Sequence, residues 1–167
     1  MSAPTAPILV RPAGTGDAAA VLAIARELVE DGTTYVFAPD TTDDALKAYW
    51  LGSAASNFVA EIGGEVAGCY VLRANHPGRG AHVANVSYAV ASRHWGGGVG
   101  RAMAEHSLEQ ARSAGFAAMQ FNLVVSTNER AVALWKALGF SIVGTLPKVF
   151  QHKLLGPVDA YVMHRFL

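Results

Sequence analysis

Four glycines fall within five positions, at Gly96, Gly97, Gly98 and Gly100, in the stretch SRHWGGGVGRAM. Only glycine adopts positive φ freely and lets another group approach the backbone closely. The stretch follows a strand-like run, HVANVSYAV, and precedes a helix-like run that begins at Gly100. A helix start presents unpaired N–H groups and the positive end of the helix dipole. The junction therefore predicts an anion site of the kind that holds a phosphate.

Two familiar phosphate motifs do not fit these glycines. The P-loop needs a glycine followed by Lys and then Ser or Thr, and the chain has no Gly-Lys pair. The dinucleotide fingerprint G-x-G-x-x-G fails because Arg101 stands at its last glycine position when counted from Gly96. A flexible glycine turn that binds nothing is the alternative interpretation.

Three asparagines accompany the glycines. Asn85 lies in the strand-like run before them, Asn122 lies in the next one, AAMQFNLVV, and Asn128 begins the following helix-like run. An amide does not take a proton at neutral pH, but it can orient an amine, a carboxylate or a water. Structural roles are the alternatives, as strand residues for Asn85 and Asn122 and as a helix cap for Asn128.

Metal and thiol chemistry are not predicted. None of the six histidines forms a recognised metal spacing with another histidine, a cysteine or a carboxylate. The single cysteine, Cys69, lies in the apolar run VAGCYVL and is expected to be buried. One cysteine allows no intramolecular disulfide, which suits a reducing compartment.

Hydrophobic periodicity and turn residues predict the element order β α α β β β α β α β β. This is a mixed α/β layer fold with one parallel crossover around the glycines. Gly32, Gly115 and Gly139 are expected to end three of the helices. Residues 148–157 are predicted to form a loop before a closing strand, and residues 1–167 a single domain.

Charge and hydropathy restrict the partners. Lys plus Arg equals Asp plus Glu at 13 each, so the formal net charge is zero, and no basic run occurs. Binding to nucleic acid or an acidic membrane normally leaves a basic footprint, so neither partner is expected. No run of about 18 apolar residues occurs, and residues 1–14 lack a basic segment followed by a long apolar core. These features predict a cytoplasmic protein.

From about Ile8 to Leu167 the chain resembles the GCN5-related N-acetyltransferase (GNAT) family. YAVASRHWGGGVGRAM is similar to the family's fourth strand and its pyrophosphate loop, Gln/Arg-x-x-Gly-x-Gly/Ala, with Trp95 where Gln or Arg is usual. FNLVVSTNERAVALWKALGFSIVGT is similar to the fifth strand and fourth helix, and RPAGTGDAAAVLAIA to the family's start. More narrowly, FNLVVSTN and LPK…VDAYVM are similar to acetyltransferases that act on proline analogues such as azetidine-2-carboxylate.

The resemblance implies a GNAT-type mixed sheet of about seven strands with about four helices. The fourth and fifth strands part, and acetyl-CoA, the acetyl-donor cosubstrate, lies between them. The resemblance also implies which residues bind it. Backbone groups of Tyr88, Ala89 and Val90 would pair with the pantetheine, the amides of Gly96, Gly97, Gly98, Val99, Gly100 and Arg101 would hold the pyrophosphate, and Asn128 would lie nearby.

For the acceptor, the resemblance implies a small-molecule amine, with an amino acid or proline analogue as the narrower expectation. Asn85 and Asn122 match positions that contact substrate in the proline-analogue enzymes. Tyr35, Phe37 and Phe121 are candidates for a substrate wall, and His152 for the mouth of the site. For each of the three aromatic side chains, packing in the core is the alternative.

Catalysis is predicted to depend on positioning. The family often uses a tyrosine of the fourth helix as the proton donor, and here that position is Trp135, whose indole N–H is not a useful acid. The run HVANVSYAV contains no carboxylate that could act as a base. We therefore predict that Asn85, Asn122 and Asn128 act by orienting the reactants, while solvent removes the amine proton.

Two other functions stay open from the sequence. The domain could acetylate a drug or a protein amine, or it could bind acyl-CoA without turning it over. The resemblance to the family is compatible with a homodimer.

Overall fold

A single seven-stranded sheet flanked by four α-helices accounts for most of residues 6–167, which are the residues that the computed structural model describes. The strands are β1 (Ile8–Pro12), β2 (Ser56–Ile62), β3 (Glu65–Ala74), β4 (Val83–Val90), β5 (Ala118–Val125), β6 (Ser141–His152) and β7 (Gly156–Phe166). The helices are α1 (Ala18–Asp31), α2 (Asp43–Leu51), α3 (Val99–Ser113) and α4 (Glu129–Ala137). Residues 1–5, part of the stretch used for the leader prediction, lie outside the described residues.

The strand order in the sheet is β1-β2-β3-β4-β5-β7-β6. Every neighbouring pair is antiparallel except β4 and β5, which are joined by the crossover through α3. The predicted mixed α/β fold, with seven strands and four α-helices, is confirmed. No helix within residues 6–167 is both long and apolar enough to cross a membrane.

The two parallel strands separate soon after they begin to pair. Only Val83 with Ala118 and Ala84 with Met119 are in register between β4 and β5. Beyond them the strands diverge, and the predicted splay between the fourth and fifth strands is confirmed. A gap between two central strands leaves backbone N–H and C=O groups without a sheet partner, so these groups are available to side chains or to a ligand.

Each face of the sheet carries its own hydrophobic cluster, as strand alternation requires. On one face α3 and α4 cover buried side chains that include Val86, Met103 and Trp135. On the other face α1 and α2 cover a second group that includes Ile24 and Trp50. The layers hold β4 rigidly between them, so the geometry of its free edge is set by the core.

Gly68 of β3 brings α3 close to the sheet. A Cβ at this position would lie 2.9 Å from the Ala89 carbonyl oxygen, 2.9 Å from Met103 Cε and 3.0 Å from Val99 Cγ1. Only a residue without a side chain allows this approach. Val99 is the first residue of α3, so Gly68 fixes where the glycine stretch meets the sheet.

The predicted helix ends are confirmed, but the predicted loop at residues 148–157 is wrong. Gly32, Gly115 and Gly139 all have positive φ after their helices. Strand β6 instead continues to His152, through an irregularity between Leu146 and Phe150. The connection to β7 is therefore reduced to residues 153–155. The two strands pair again after the irregularity, which the mixed composition of the segment did not indicate.

Candidate functional site

A cleft of about 600 Å³ lies where β4 and β5 diverge. Its walls come from the end of α1 and its connection to α2, from α2, from β4 and β5, from the glycine turn into α3, from α4 and from the end of β6. Among the predicted site residues, those on its walls are Tyr35, Asn85, Tyr88, Val90, Gly100, Phe121, Asn122, Asn128 and His152. Phe37 lies behind Tyr35, with ring centroids 5.7 Å apart, and does not line the cleft.

The glycine stretch forms the turn into α3 and presents free amides. Gly96 and Gly98 have φ of 79° and 86°, in the left-handed region. Within residues 6–167, no acceptor is present for the backbone N–H groups of Gly96, Gly98, Val99, Gly100 and Arg101. The N–H of Gly97, in contrast, donates to the His94 carbonyl at 3.1 Å. Five unpaired donors at a helix N-terminus fit a diphosphate, which has acceptor oxygens and negative charge.

The free edge of β4 consists of alternate residues. The N–H of Ala91 donates to the Ala67 carbonyl of the β3 segment at 2.9 Å, and antiparallel pairing turns every second residue toward the same neighbour. Ala89, two residues before Ala91, therefore faces β3, where it is in register with Cys69. The expectation that Ala89 offers backbone groups to a ligand is corrected: Tyr88 and Val90 face the cleft instead.

The hydroxyl of Tyr35 already occupies one position of this edge. It accepts a hydrogen bond from the Tyr88 N–H at 2.8 Å and donates one to the Tyr88 carbonyl at 2.7 Å. Burial raises the pKa of the Tyr35 hydroxyl well above its usual value. The group therefore stays protonated and can act as both donor and acceptor. Its contact with β4 spans 53 residues of sequence, and no local pattern indicated it.

Trp95 occupies the next position of the edge. Its indole Nε1 donates to the Val90 carbonyl at 2.9 Å, while 53% of the residue stays exposed. Trp95 also lines the cleft. The departure from the Gln or Arg of the family pattern thus places an aromatic ring between the glycine turn and the end of β4.

Asn85 and Asn122 lie at the end of the cleft where the strands begin to part. The Asn85 side chain donates to the Gln120 carbonyl at 3.0 Å, one residue beyond the last paired rung. The Asn122 side chain donates to Asn75 Oδ1 at 2.7 Å and accepts from Gln120 Nε2 at 2.9 Å. Both amides therefore have structural partners, and both remain on the cleft wall.

On α4, Asn128 caps the helix and Trp135 belongs to the core. Asn128 Oδ1 accepts from the Ala131 N–H at 3.2 Å, and the residue lines the cleft. Trp135 is 8% exposed and packs against Tyr88 and Phe121, with centroid distances of 5.0 and 4.6 Å. The helix therefore presents a capping amide and an indole to the cleft.

Polar side chains that the sequence did not single out also line the cleft. Asp31, at the end of α1, accepts from both the N–H and the hydroxyl of Thr33. The Tyr49 hydroxyl lies 2.6 Å from Ser87 Oγ, and Arg130 lies at the start of α4. Asp31 and Tyr49 come from α1 and α2, far from the glycine stretch in sequence, so only the tertiary fold brings them here.

His152 reaches the cleft from the end of β6. Its Nδ1 accepts from the N–H groups of Leu154 and Leu155, at 3.1 and 3.3 Å. Because Nδ1 accepts two hydrogen bonds, the neutral ring carries its proton on Nε2. In this geometry His152 Nε2 is therefore a hydrogen-bond donor.

Comparison with known proteins identifies the family. A model of the acetyltransferase (GNAT) family matches residues 22–140. The structure of a GCN5-related N-acetyltransferase from Kribbella flavida is 42% identical, with a TM-score of 0.91 over 96% of this chain and 98% of that one. The structure of yncA from Salmonella typhimurium, solved with its cofactor acetyl-CoA, shares the fold at 23% identity, with a TM-score of 0.85 over 97% of this chain and 95% of that one.

Among curated relatives, N-acetyltransferase aca1 of Schizosaccharomyces pombe is 35% identical over 96 residues, or 57% of this chain. The match covers 46% of aca1, so the chain spans about half the length of that relative. The chain belongs to the GCN5-related N-acetyltransferase family, whose members use acetyl-CoA as the acetyl donor. The five unpaired amides of the glycine turn and the divergent strands fit that cosubstrate.

Proposed function

We propose that this protein transfers the acetyl group of acetyl-CoA to the amine of a small molecule, and that the acceptor is an amino acid or a proline analogue. The observation that carries the proposal is the cleft between β4 and β5, which has unpaired amides at one end and two asparagines at the other. The zero net charge gives no basic footprint for nucleic acid. We place the reaction in the cytoplasm. The proposed function is compatible with a homodimer.

In this proposal the cosubstrate is held by backbone groups. The amides from Gly96 to Arg101 bind the diphosphate, and the cleft-facing edges of Tyr88 and Val90 bind the amides of the pantetheine. Asn128 keeps its capping role and lies beside this path. Acetyl-CoA supplies an activated thioester, and its carbonyl is polarised by a preplaced backbone donor.

The side chains of the cleft then position the acceptor. Asn85 and Asn122 orient its polar groups near the point where the strands part, so that the amine and the thioester meet in attack geometry. Tyr35 and Phe121 bound the space, and Phe37 supports Tyr35 from behind. The cleft-facing positions of β4 and α4 carry no carboxylate, and the hydroxyl of Tyr88, the tyrosine of β4, is engaged with Ser107 Oγ at 2.6 Å, so solvent removes the amine proton.

A thiol-release assay with a panel of amines tests this function. The panel contains azetidine-2-carboxylate, proline analogues, amino acids and amine drugs, and we expect turnover with at least one amino-acid-like acceptor. Asn85→Ala and Asn122→Ala should raise the KM of the acceptor before they change CoA affinity, whereas the exposed Gln151→Ala on β6 should change neither. Stabilisation by CoA in a thermal shift without turnover on any amine would show a binding module instead.

The pH dependence of the rate tests the proton path. If solvent removes the amine proton, the rate should follow the ionisation of the acceptor amine and show no separate limb near a carboxylate pKa. Asp31, the carboxylate of the cleft, is the residue to examine, and Asp31→Asn should leave the profile unchanged. If the profile shows an acidic limb and this substitution abolishes it, the base is Asp31 and not solvent.

A further inference from the structure

Arg73 places a positive charge beside the acceptor end of the cleft. It lies on β3 in register with Asn85 of β4, and directly opposed residues point to the same face of a sheet. Its guanidinium carbon lies 4.5 Å from the ring centroid of Tyr49, in a cation–π contact. Asn85 and Tyr49 both line the cleft, whereas Arg73 lines a separate recess with Ser56 and Phe116, so it lies next to two residues of the cleft wall and not on the wall itself.

The hydrogen-bonding edge of Arg73 is unpaired. Its Nε and Nη2 atoms are shielded from solvent and have no partner within residues 6–167, and no ion pair there joins it to a carboxylate. Arg11 directs the same two atoms at one carboxylate oxygen, Glu61 Oε2, with distances of 3.0 Å from Nε and 2.9 Å from Nη2. The two N–H groups of this edge also match the two oxygens of a carboxylate.

Shielded donors of a charged group destabilise a fold when they lack a partner. A neutral side chain would cover the same face of β3 without that cost. The presence of an arginine here therefore favours an anionic group that a ligand supplies. Residue Arg73 is only partly buried as a whole, and binding of a ligand in the cleft requires its guanidinium to turn this edge toward the cleft. Tyr49 supports the plane of the guanidinium during that rotation.

We propose that Arg73 recognises a carboxylate on the acceptor, and that this contact restricts the enzyme to amino acids and related amino carboxylates. The inference rests on the proposed acetyltransferase function and adds the residue that recognises the carboxylate of the acceptor. Arg73 is offset from Tyr88 by three positions along the strands, roughly 10 Å. An arginine side chain and one small amino acid span that distance, which leaves the amine near the cleft-facing edge of Tyr88.

The test compares each acceptor with its own amide. The full chain is assayed with azetidine-2-carboxylate and proline, and with the corresponding carboxamides, at saturating acetyl-CoA. We expect wild type to prefer each carboxylate in kcat/KM by roughly tenfold or more, as a charged bidentate contact provides. Arg73→Met should remove that preference while leaving the carboxamides and the KM of acetyl-CoA unchanged, and Arg73→Lys should keep part of it.

Arg79→Met is the matched control. Arg79 is exposed in the connection between β3 and β4, so the substitution makes the same charge change outside the cleft and should leave the preference intact. A wild type that acetylates carboxylate and carboxamide equally overturns the inference without any variant and leaves the proposed function standing. An equal loss on both acceptors in Arg73→Met, in a chain with unchanged melting temperature, also overturns it. Absence of turnover with every amine would instead reject the proposed function.

Discussion

At the scale of single residues, two aromatic side chains occupy part of the cleft-facing edge of β4. Tyr35 bonds both backbone groups of Tyr88, and Trp95 bonds the Val90 carbonyl. A cosubstrate that adds to this edge has to replace those hydrogen bonds one for one. The affinity for CoA therefore depends on how strongly the protein's own side chains compete for the same backbone groups.

Tyr35→Phe tests this competition. Removal of the hydroxyl frees the N–H and carbonyl of Tyr88, and each of the two hydrogen bonds is worth about 1 kcal/mol net, so CoA should bind roughly thirtyfold more tightly. Titration of the intrinsic fluorescence is a suitable measurement, because Trp95 is half exposed at the cleft while Trp50 and Trp135 are buried.

Tyr49→Phe is the control for that titration. It also removes a hydroxyl from the cleft, but one that contacts Ser87 Oγ rather than the strand edge, so the Kd for CoA should stay unchanged. Weaker binding of CoA by Tyr35→Phe would mean that the hydroxyl belongs to the bound site and does not compete with the cosubstrate.

At the scale of elements, the glycine turn and α3 form one unit. Gly98 is the N-cap of α3, with φ of 86°, a conformation that costs an L-residue about 1–2 kcal/mol. Gly68 lets the start of α3 approach β3, so the free amides are held in a fixed position relative to β4. A helix N-terminus that is rigidly placed can bind a diphosphate without reorganisation.

Gly98→Ala should therefore weaken CoA binding by roughly tenfold, since strain in the left-handed region either distorts the turn or lowers its stability. Calorimetric titration with CoA measures the loss. The comparison variant is Gly64→Ala, in the turn between β2 and β3, where φ is 89° and a Cβ meets nothing within 4 Å. It carries similar strain away from the site, so equal CoA affinities for the two variants would contradict a role of the turn in binding.

At the scale of the whole molecule, an ion-pair network fastens the start of α1 to the edge of the sheet. Asp17 accepts from Arg11 at 2.7 and 3.0 Å and from the Gly14 N–H at 2.7 Å, and its side chain is only 11% exposed. Arg11 also binds Glu61 of β2. The hydrogen bonds from Arg11 lower the pKa of the Asp17 carboxyl. This network contributes to global stability and lies apart from the cleft.

Asp17→Asn should lower the free energy of unfolding at pH 7 by about 1–3 kcal/mol. Because the native pKa is depressed, the wild type holds this contribution above about pH 5 and loses it as the pH falls through the native pKa. Urea unfolding of both proteins at pH 7 and near pH 3 measures the effect, and the difference should shrink at the lower pH. The exposed Asp40→Asn should match wild type, and a difference for Asp17→Asn that is independent of pH would exclude the carboxylate as its source.

The sequence by itself determined those features of the fold that depend on residues close together in the chain. Apolar periodicity and turn glycines determined the order of the elements, and the glycine run with Asn85, Asn122 and Asn128 predicted a candidate site. These features follow from local backbone preferences, which act over one or two turns of chain. The family resemblance added the separation of β4 and β5.

Tertiary structure alone decided which backbone and side-chain groups face the gap between β4 and β5. Strand register turned Ala89 toward β3 and left Tyr88 and Val90 at the edge, and packing of the α1–α2 connection brought the Tyr35 hydroxyl onto Tyr88. It also left the Arg73 fork unpaired beside the acceptor end. Contacts between residues far apart in sequence depend on how the helices and the sheet pack together. Short stretches of sequence therefore do not predict them.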